Sequence, residues 1–339
     1  MFVALPTMGR SVEYPAVSAG FATVPSSVPA QSKSRFRAAI IIGALLVLAA
    51  GGTWWAVSAN GTDDAPVASV LPAGTRMGPV HLDPMRAYYV DALGLGVLDE
   101  TDSAVTLGAG GREVLSITED VDGTPDAPTQ AGLYHSAFLY EDEASLAAVL
   151  AKVARTAPQS FQGSADHAVS LAFYLGDPDG NGVELYVDRP ADEWDWKDGK
   201  VVMGSAPLDP NAFIAEHLAG QDAGTPDIGH VHLRVGDLDQ ARAFYADTLG
   251  FAVTSETNGA LFFAAGGYHH HVATNTWMSN GAGARTSDLG LGSFTVEFDD
   301  GGIAKLKERL DAQGVNHRNV DGVLVTEDPW GNTVRFTAP

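Results

Sequence analysis

The chain of 339 residues contains no cysteine. Disulfide bridges, thiolate nucleophiles and zinc–sulfur sites are therefore excluded. The absence suits a reducing compartment, and equally an exported protein that needs no covalent staples. Positive charge is scarce as well: 20 Lys and Arg stand against 42 Asp and Glu, a formal net charge of −22. That balance argues against a nucleic-acid partner, whose phosphates would be repelled. It does not require a cationic partner, because acidic surfaces commonly serve solubility. Hydrophobic residues make up 45% and charged residues 18%, which describes a globular chain. Its length gives room for two domains, each with its own core.

Long apolar runs are equally rare. A single charge-free stretch covers residues 38–57, preceded by Lys33, Arg35 and Arg37 and closed by Trp54-Trp55. About 20 residues at ~1.5 Å rise span roughly 30 Å, one hydrocarbon core. Basic residues before the stretch and tryptophans at its far end orient it as a transmembrane anchor, with a cytoplasmic N-terminus and the following domain outside. A signal cleaved near Ala59 is the rival. A third reading starts the protein near Met77, which would leave it cytoplasmic. Residues 1–37, rich in Ser, Pro, Val and Ala without a period, read as disordered, and residues 58–74 as a polar linker.

Beyond that point the chain repeats itself. Asp177-Pro-Asp-Gly-Asn-Gly-Val-Glu184 returns about 150 residues later as Asp328-Pro-Trp-Gly-Asn-Thr-Val-Arg335. Arg86-Ala-Tyr-Tyr-Val-Asp-Ala-Leu-Gly-Leu95 returns as Arg242-Ala-Phe-Tyr-Ala-Asp-Thr-Leu-Gly-Phe251. Hydrophobic periodicity between these anchors gives an α+β chain of four βαβββ modules. Modules one and two occupy residues 75–190 and modules three and four residues 227–339. A connection at 191–226 carries Trp194, Trp196 and a short helix, and is read as packed linker rather than lid.

Gly132-Leu-Tyr-His135, the Asp177–Glu184 segment, Gly229-His-Val-His-Leu233 and Gly266-Gly-Tyr-His-His-His-Val272 follow one another in this repeat frame. In that order they resemble the vicinal oxygen chelate superfamily, and within it the two-domain bacterial catechol 2,3-dioxygenase-like proteins. The resemblance implies two domains with curved mixed sheets around a metal cleft. It implies a metal held by His135, Glu184 and His230, the two histidines on matching first strands of modules two and three. Two imidazoles and one carboxylate on one face form the facial triad of non-haem iron(II) oxygenases. Three protein ligands leave three octahedral corners, two for a catechol-like aromatic diol and one for O2. Manganese(II) has the same ligand preferences as iron(II) here.

His270 matches the family's proton-handling histidine, although the run His269-His270-His271 leaves the register open between His270 and the pair flanking it. Tyr174, ten residues before Glu184, matches a substrate-binding tyrosine, and His167 is placed beside the substrate pocket. Modules one and four lack an equivalent set, with Pro79 in place of His230, and Ser293 and Arg335 in place of His135 and Glu184. Many family enzymes take their ligands from modules three and four, so module two here fills the role of module four.

The implied activity is iron(II)-dependent extradiol cleavage. Its alternatives are a glyoxalase-like isomerase, which would normally bring a second carboxylate as fourth ligand, and a non-catalytic binding or resistance protein without ligands. An isolated strand histidine is more often a satisfied core residue than a ligand, and it is the repeated placement that argues otherwise. His232, two residues beyond His230, is read as structural. A homodimer is compatible with the sequence, which fixes no oligomeric state.

Overall fold

The computed structural model describes residues 68–69, 75–78, 81–220, 222–298 and 301–338. The apolar stretch 38–57, the linker around it and Pro79 lie outside the described residues. No helix among the described residues is long and apolar enough to cross a membrane.

Module one consists of β1 (Thr75–Gly78), α1 (Leu82–Ala87), β2 (Gly96–Glu100), β3 (Ala104–Ala109) and β4 (Arg112–Thr118). Module two follows with β5 (Gly132–Tyr140), α2 (Glu143–Thr156), β6 (Phe161–Asp166), β7 (Ser170–Gly176) and β8 (Gly182–Asp188). The connection carries α3 (Pro210–His217). Module three contains β9 (Asp227–Arg234), α4 (Leu238–Ala241), β10 (Ala252–Thr257), β11 (Ala260–Ala264) and β12 (Val272–Asn275). Module four contains β13 (Gly290–Phe298), α5 (Gly302–Gln313), β14 (His317–Val320), β15 (Val323–Glu327) and β16 (Thr333–Thr337).

Modules two and three share one nine-stranded sheet, ordered β6-β7-β8-β5-β9-β12-β11-β10, with a two-residue strand at Ala206–Pro207 beside β6. Modules one and four share the other, ordered β14-β15-β16-β13-β1-β4-β3-β2, with Ala68–Ser69 beside β13. Both sheets are mixed in the same way. First and last strands of a module run parallel, and the two modules meet at an antiparallel seam of first strands, β5 with β9 and β13 with β1.

Strand alternation separates chemistry from packing. Phe138 and Tyr140 of β5, Phe173 and Leu175 of β7, and Val183, Leu185 and Val187 of β8 join Leu146, Val149, Leu150 and Val153 of α2 in the main core. The helix starts where Asp142 accepts a hydrogen bond from the Ser145 amide, an N-cap that satisfies one free donor. The opposite faces of the same strands carry His135, Ala137, Tyr174 and Glu184.

The repeated segments are also joined to each other. After α1 and α4 the helix widens to π geometry at Tyr88–Ala92 and at Arg242–Thr248, ending at the same place in both copies. Tyr89 then donates to Asp177 Oδ2 at 3.1 Å, and Tyr245 to Asp328 Oδ2 at 2.9 Å. Each aspartate closes its turn identically: its Oδ1 accepts from the amides two and four residues on, and its Oδ2 from the side-chain amide of Asn181 or Asn332. One duplicated contact thus ties module one to two and module three to four.

Candidate metal centre

The seam between β5 and β9 places the histidines. In antiparallel register His135 faces His232, and Ala137 faces His230. In parallel register on the other side of β5, Ala137 also faces Glu184. Two β-bulges adjust this frame. One leaves Gly229 without a partner, and a side chain there would collide with the Tyr186 hydroxyl. The other shifts the register between His135 and Leu133, so that the Tyr134 ring lies 4.9 Å from that of His232.

His135 Nε2, His230 Nε2 and one Glu184 oxygen lie within 4.8 Å of one another, and all three residues are buried. Separations are 2.9 Å from His135 to Glu184, 3.4 Å from His230 to Glu184 and 3.3 Å between the two imidazole nitrogens. Adjacent corners of an octahedron whose donors lie about 2.1 Å from the centre are about 3 Å apart. The three atoms therefore fit one face of an octahedral first-row metal. Burial alone would raise the Glu184 carboxyl, but His230 and His135 hold it well below the usual range. Burial pushes His230 down to about 4 against the pull of Glu184, so its imidazole is neutral and free to ligate.

Tyr174 is the register partner of Glu184 on β7, and its ring lies 5.7 Å from that of His135. His167 Nε2 lies 2.7 Å from the Tyr174 hydroxyl, and His167 Nδ1 lies 2.7 Å from the carbonyl of Gly204. A carbonyl only accepts, so Nδ1 carries the proton and Nε2 accepts from Tyr174. Burial, then Glu184, raises the Tyr174 phenol well above its ordinary value and keeps it a neutral hydroxyl.

His270 lies against His230 with ring centroids 4.1 Å apart and planes tilted by 50°, and meets Phe262 edge-on at 5.0 Å. Strand β12 begins only at Val272, so the histidine run lies in irregular backbone and strict alternation does not apply. His269 and His270 consequently touch, with Nδ1 atoms 2.7 Å apart, while His271 turns back to accept from the Ala265 amide. His232 is buried and accepts from Asn275 at 3.0 Å, outside the group of three. Tyr134, His232, Phe262 and Trp277 form an aromatic wall beside the triad, with Trp277 51% exposed at its rim.

Several neighbours carry no motif. Asp188, Tyr186, Ala137 and Asn275 line or brace the site, and alternation from Glu184 along β8 is the signal that could have found the first two. Trp194 of the connection packs on Tyr268 and His269.

Residues 78–185 and 227–336 match the model of the Glyoxalase/Bleomycin resistance protein/Dioxygenase superfamily. The chain belongs to that superfamily. A catechol-2,3-dioxygenase of Bacillus subtilis (strain 168) is 39% identical over 218 residues, covering 62% of this chain and 76% of that protein. A solved putative dioxygenase from Bacillus subtilis subsp. subtilis str. 168 superposes with a TM-score of 0.55 at 10% identity, over 81% of this chain and 86% of the other. That second likeness is one of fold alone.

Proposed function

We propose that this superfamily member is an iron(II)-dependent extradiol dioxygenase that opens a catechol-like ring with O2. The observation that carries the reading is the convergence of two imidazoles and one carboxylate at cis-octahedral spacing, with no fourth donor in the group among the described residues. The name of the 39%-identical relative supports the same substrate class. His135, His230 and Glu184 would hold the metal, with manganese(II) as the other ion suited to the donors. Iron(II), when bound, would supply the electron transfer between diol and dioxygen that neither side chains nor substrate can perform alone.

The remaining work falls to the chain. Tyr174 donates its hydrogen bond to His167, so its oxygen is free to accept from a substrate hydroxyl and orient it. His270, kept neutral by burial and by His230, would take a proton from the diol and return it during ring opening. The aromatic wall would hold the substrate ring and exclude water. Oxygen uptake over a panel of catechols, after anaerobic loading with iron, tests the reading. It predicts uptake and a ring-opened semialdehyde; isomerisation of a methylglyoxal hemithioacetal without catechol cleavage, or no bound metal, would overturn it.

We also propose that residues 38–57 tether the domain to a membrane, on the strength of their apolar length and flanking charge. Full-length protein should sediment with membranes and resist salt extraction. Recovery in the soluble fraction would dispose of the tether.

A further inference from the structure

Behind the triad runs a chain of hydrogen bonds that the metal-binding residues do not need. His270 Nδ1 lies 2.7 Å from His269 Nδ1, and His269 Nε2 lies 2.8 Å from Asp188 Oδ1. Tyr268 donates to the other oxygen, Asp188 Oδ2, at 2.7 Å, and the Tyr186 hydroxyl lies 3.0 Å from that of Tyr268. The Thr254 hydroxyl donates to the carbonyl of His269 at 2.5 Å, and Trp194 covers its ring. His269 is fully buried, whereas the Asp188 side chain keeps 21% of its surface. The chain therefore leads from the buried site to solvent.

The order of protons in this chain follows from its end. Both oxygens of Asp188 are engaged, one by a phenol and one by an imidazole, the pattern of an accepting carboxylate. His269 must then carry a proton on Nε2, and in the neutral ring that leaves Nδ1 as a lone pair. Two facing imidazole nitrogens at 2.7 Å share one proton, and with His269 Nδ1 bare it resides on His270 Nδ1. His270 Nε2 is left unprotonated.

We propose that Asp188, acting through His269, is a positioning residue that fixes the tautomer of His270 and makes Nε2 its proton-accepting nitrogen. In the wrong tautomer His270 would present a hydrogen to the substrate hydroxyl instead of a lone pair. The consequence for catalysis rests on the dioxygenase reading; the hydrogen-bond order does not. No proton is gained or lost in setting the tautomer. A proton taken at Nε2 from substrate is returned from the same atom.

Long-range 15N–1H correlation spectra of histidine-labelled, zinc-loaded protein read the tautomer directly. His270 is expected with Nδ1 protonated and Nε2 bare, and His269 with the reverse. Asp188→Ala should convert both to tautomer mixtures, and Asp188→Glu should restore the original pattern. In iron-loaded protein Asp188→Ala should lower kcat by about 10- to 100-fold with KM for the catechol changed less than about threefold. A wild-type His270 protonated on Nε2 would overturn the inference, and this measurement stands even if the alanine variant does not fold. An Asp188→Ala variant with unchanged tautomers would overturn it too. Wild-type protein that turns over no catechol would remove the dioxygenase reading while the spectra still decided the tautomer.

Discussion

Ala137 and His230 are register partners across the β5–β9 seam, and the partner of Ala137 on its other side is Glu184. A single methyl group thus stands between two of the three candidate ligands. Ala137 is fully buried and packs with Ala172, Tyr186, Leu139 and Tyr174 in a small apolar cluster. A larger side chain there would project into the space the metal must fill. Ala137→Leu is expected to keep the fold, at a cost of about 1–3 kcal/mol for overpacking. Bound iron should fall from about one per chain to less than about a tenth. Metal analysis beside circular dichroism checks both halves, and full iron content would show that the metal lies elsewhere.

Tyr174 and His167 work as one unit if the hydroxyl proton is committed to the imidazole. Tyr174→Phe removes the substrate-facing oxygen and should cost about 10- to 100-fold in kcat/KM. His167→Phe leaves that oxygen but frees its proton, and should cost less. The double variant should lose little more than Tyr174→Phe alone. Additive losses in a double-mutant cycle would show two independent roles.

The candidate ligands were legible because repetition gave each histidine a counterpart: His135 and His230 occupy the same strand position in two modules, and Glu184 contrasts with Arg335. What the repeats could not disclose is which modules share a sheet. That depends on the antiparallel meeting of β5 with β9, a contact between residues about a hundred positions apart that leaves no local pattern. The register of the histidine run stayed open for a different reason. Period-two reasoning needs a strand, and β12 starts after His271. Asp188 was overlooked because a carboxylate near a strand end usually faces water; only its contacts with His269 and Tyr268 set it apart. Both π turns look like ordinary helix in sequence, since they use the same residues.

The duplicated tyrosine–aspartate contact should be worth a similar amount in each half. Tyr89 and Tyr245 are fully buried, and each hydroxyl ends on an aspartate that also organises a turn. Removing one such hydroxyl leaves a buried carboxylate oxygen with one donor fewer, at about 1–3 kcal/mol. Tyr89→Phe and Tyr245→Phe should each lower unfolding free energy by that amount in denaturant titrations, with iron content unchanged. A loss confined to one of them would mean that the two halves do not use the contact alike.

Acid should destabilise the metal-free protein through its buried imidazoles. Burial pushes His230 down from 6.5 to about 4 and His271 to about 3, and holds His232 and His270 well below the ordinary value. A group whose folded value is depressed binds its proton more readily in the unfolded chain. Its stabilising contribution is complete above about pH 6.5 and is lost as pH falls through the interval down to the folded value. Asp177 works in the opposite sense: burial raises it from 3.8 to about 6, so its contribution is present below 3.8 and disappears as pH rises through 6. Asp328 is raised for the same reason. Four imidazoles outweigh two carboxyls, so unfolding free energy should fall by on the order of a few kcal/mol between pH 7 and pH 4.5. Equilibrium denaturation at those two pH values gives the sign. An unchanged or rising stability at pH 4.5 would mean that these rings are not held neutral, and His230 would then have to lose a proton before it could bind a metal at neutral pH.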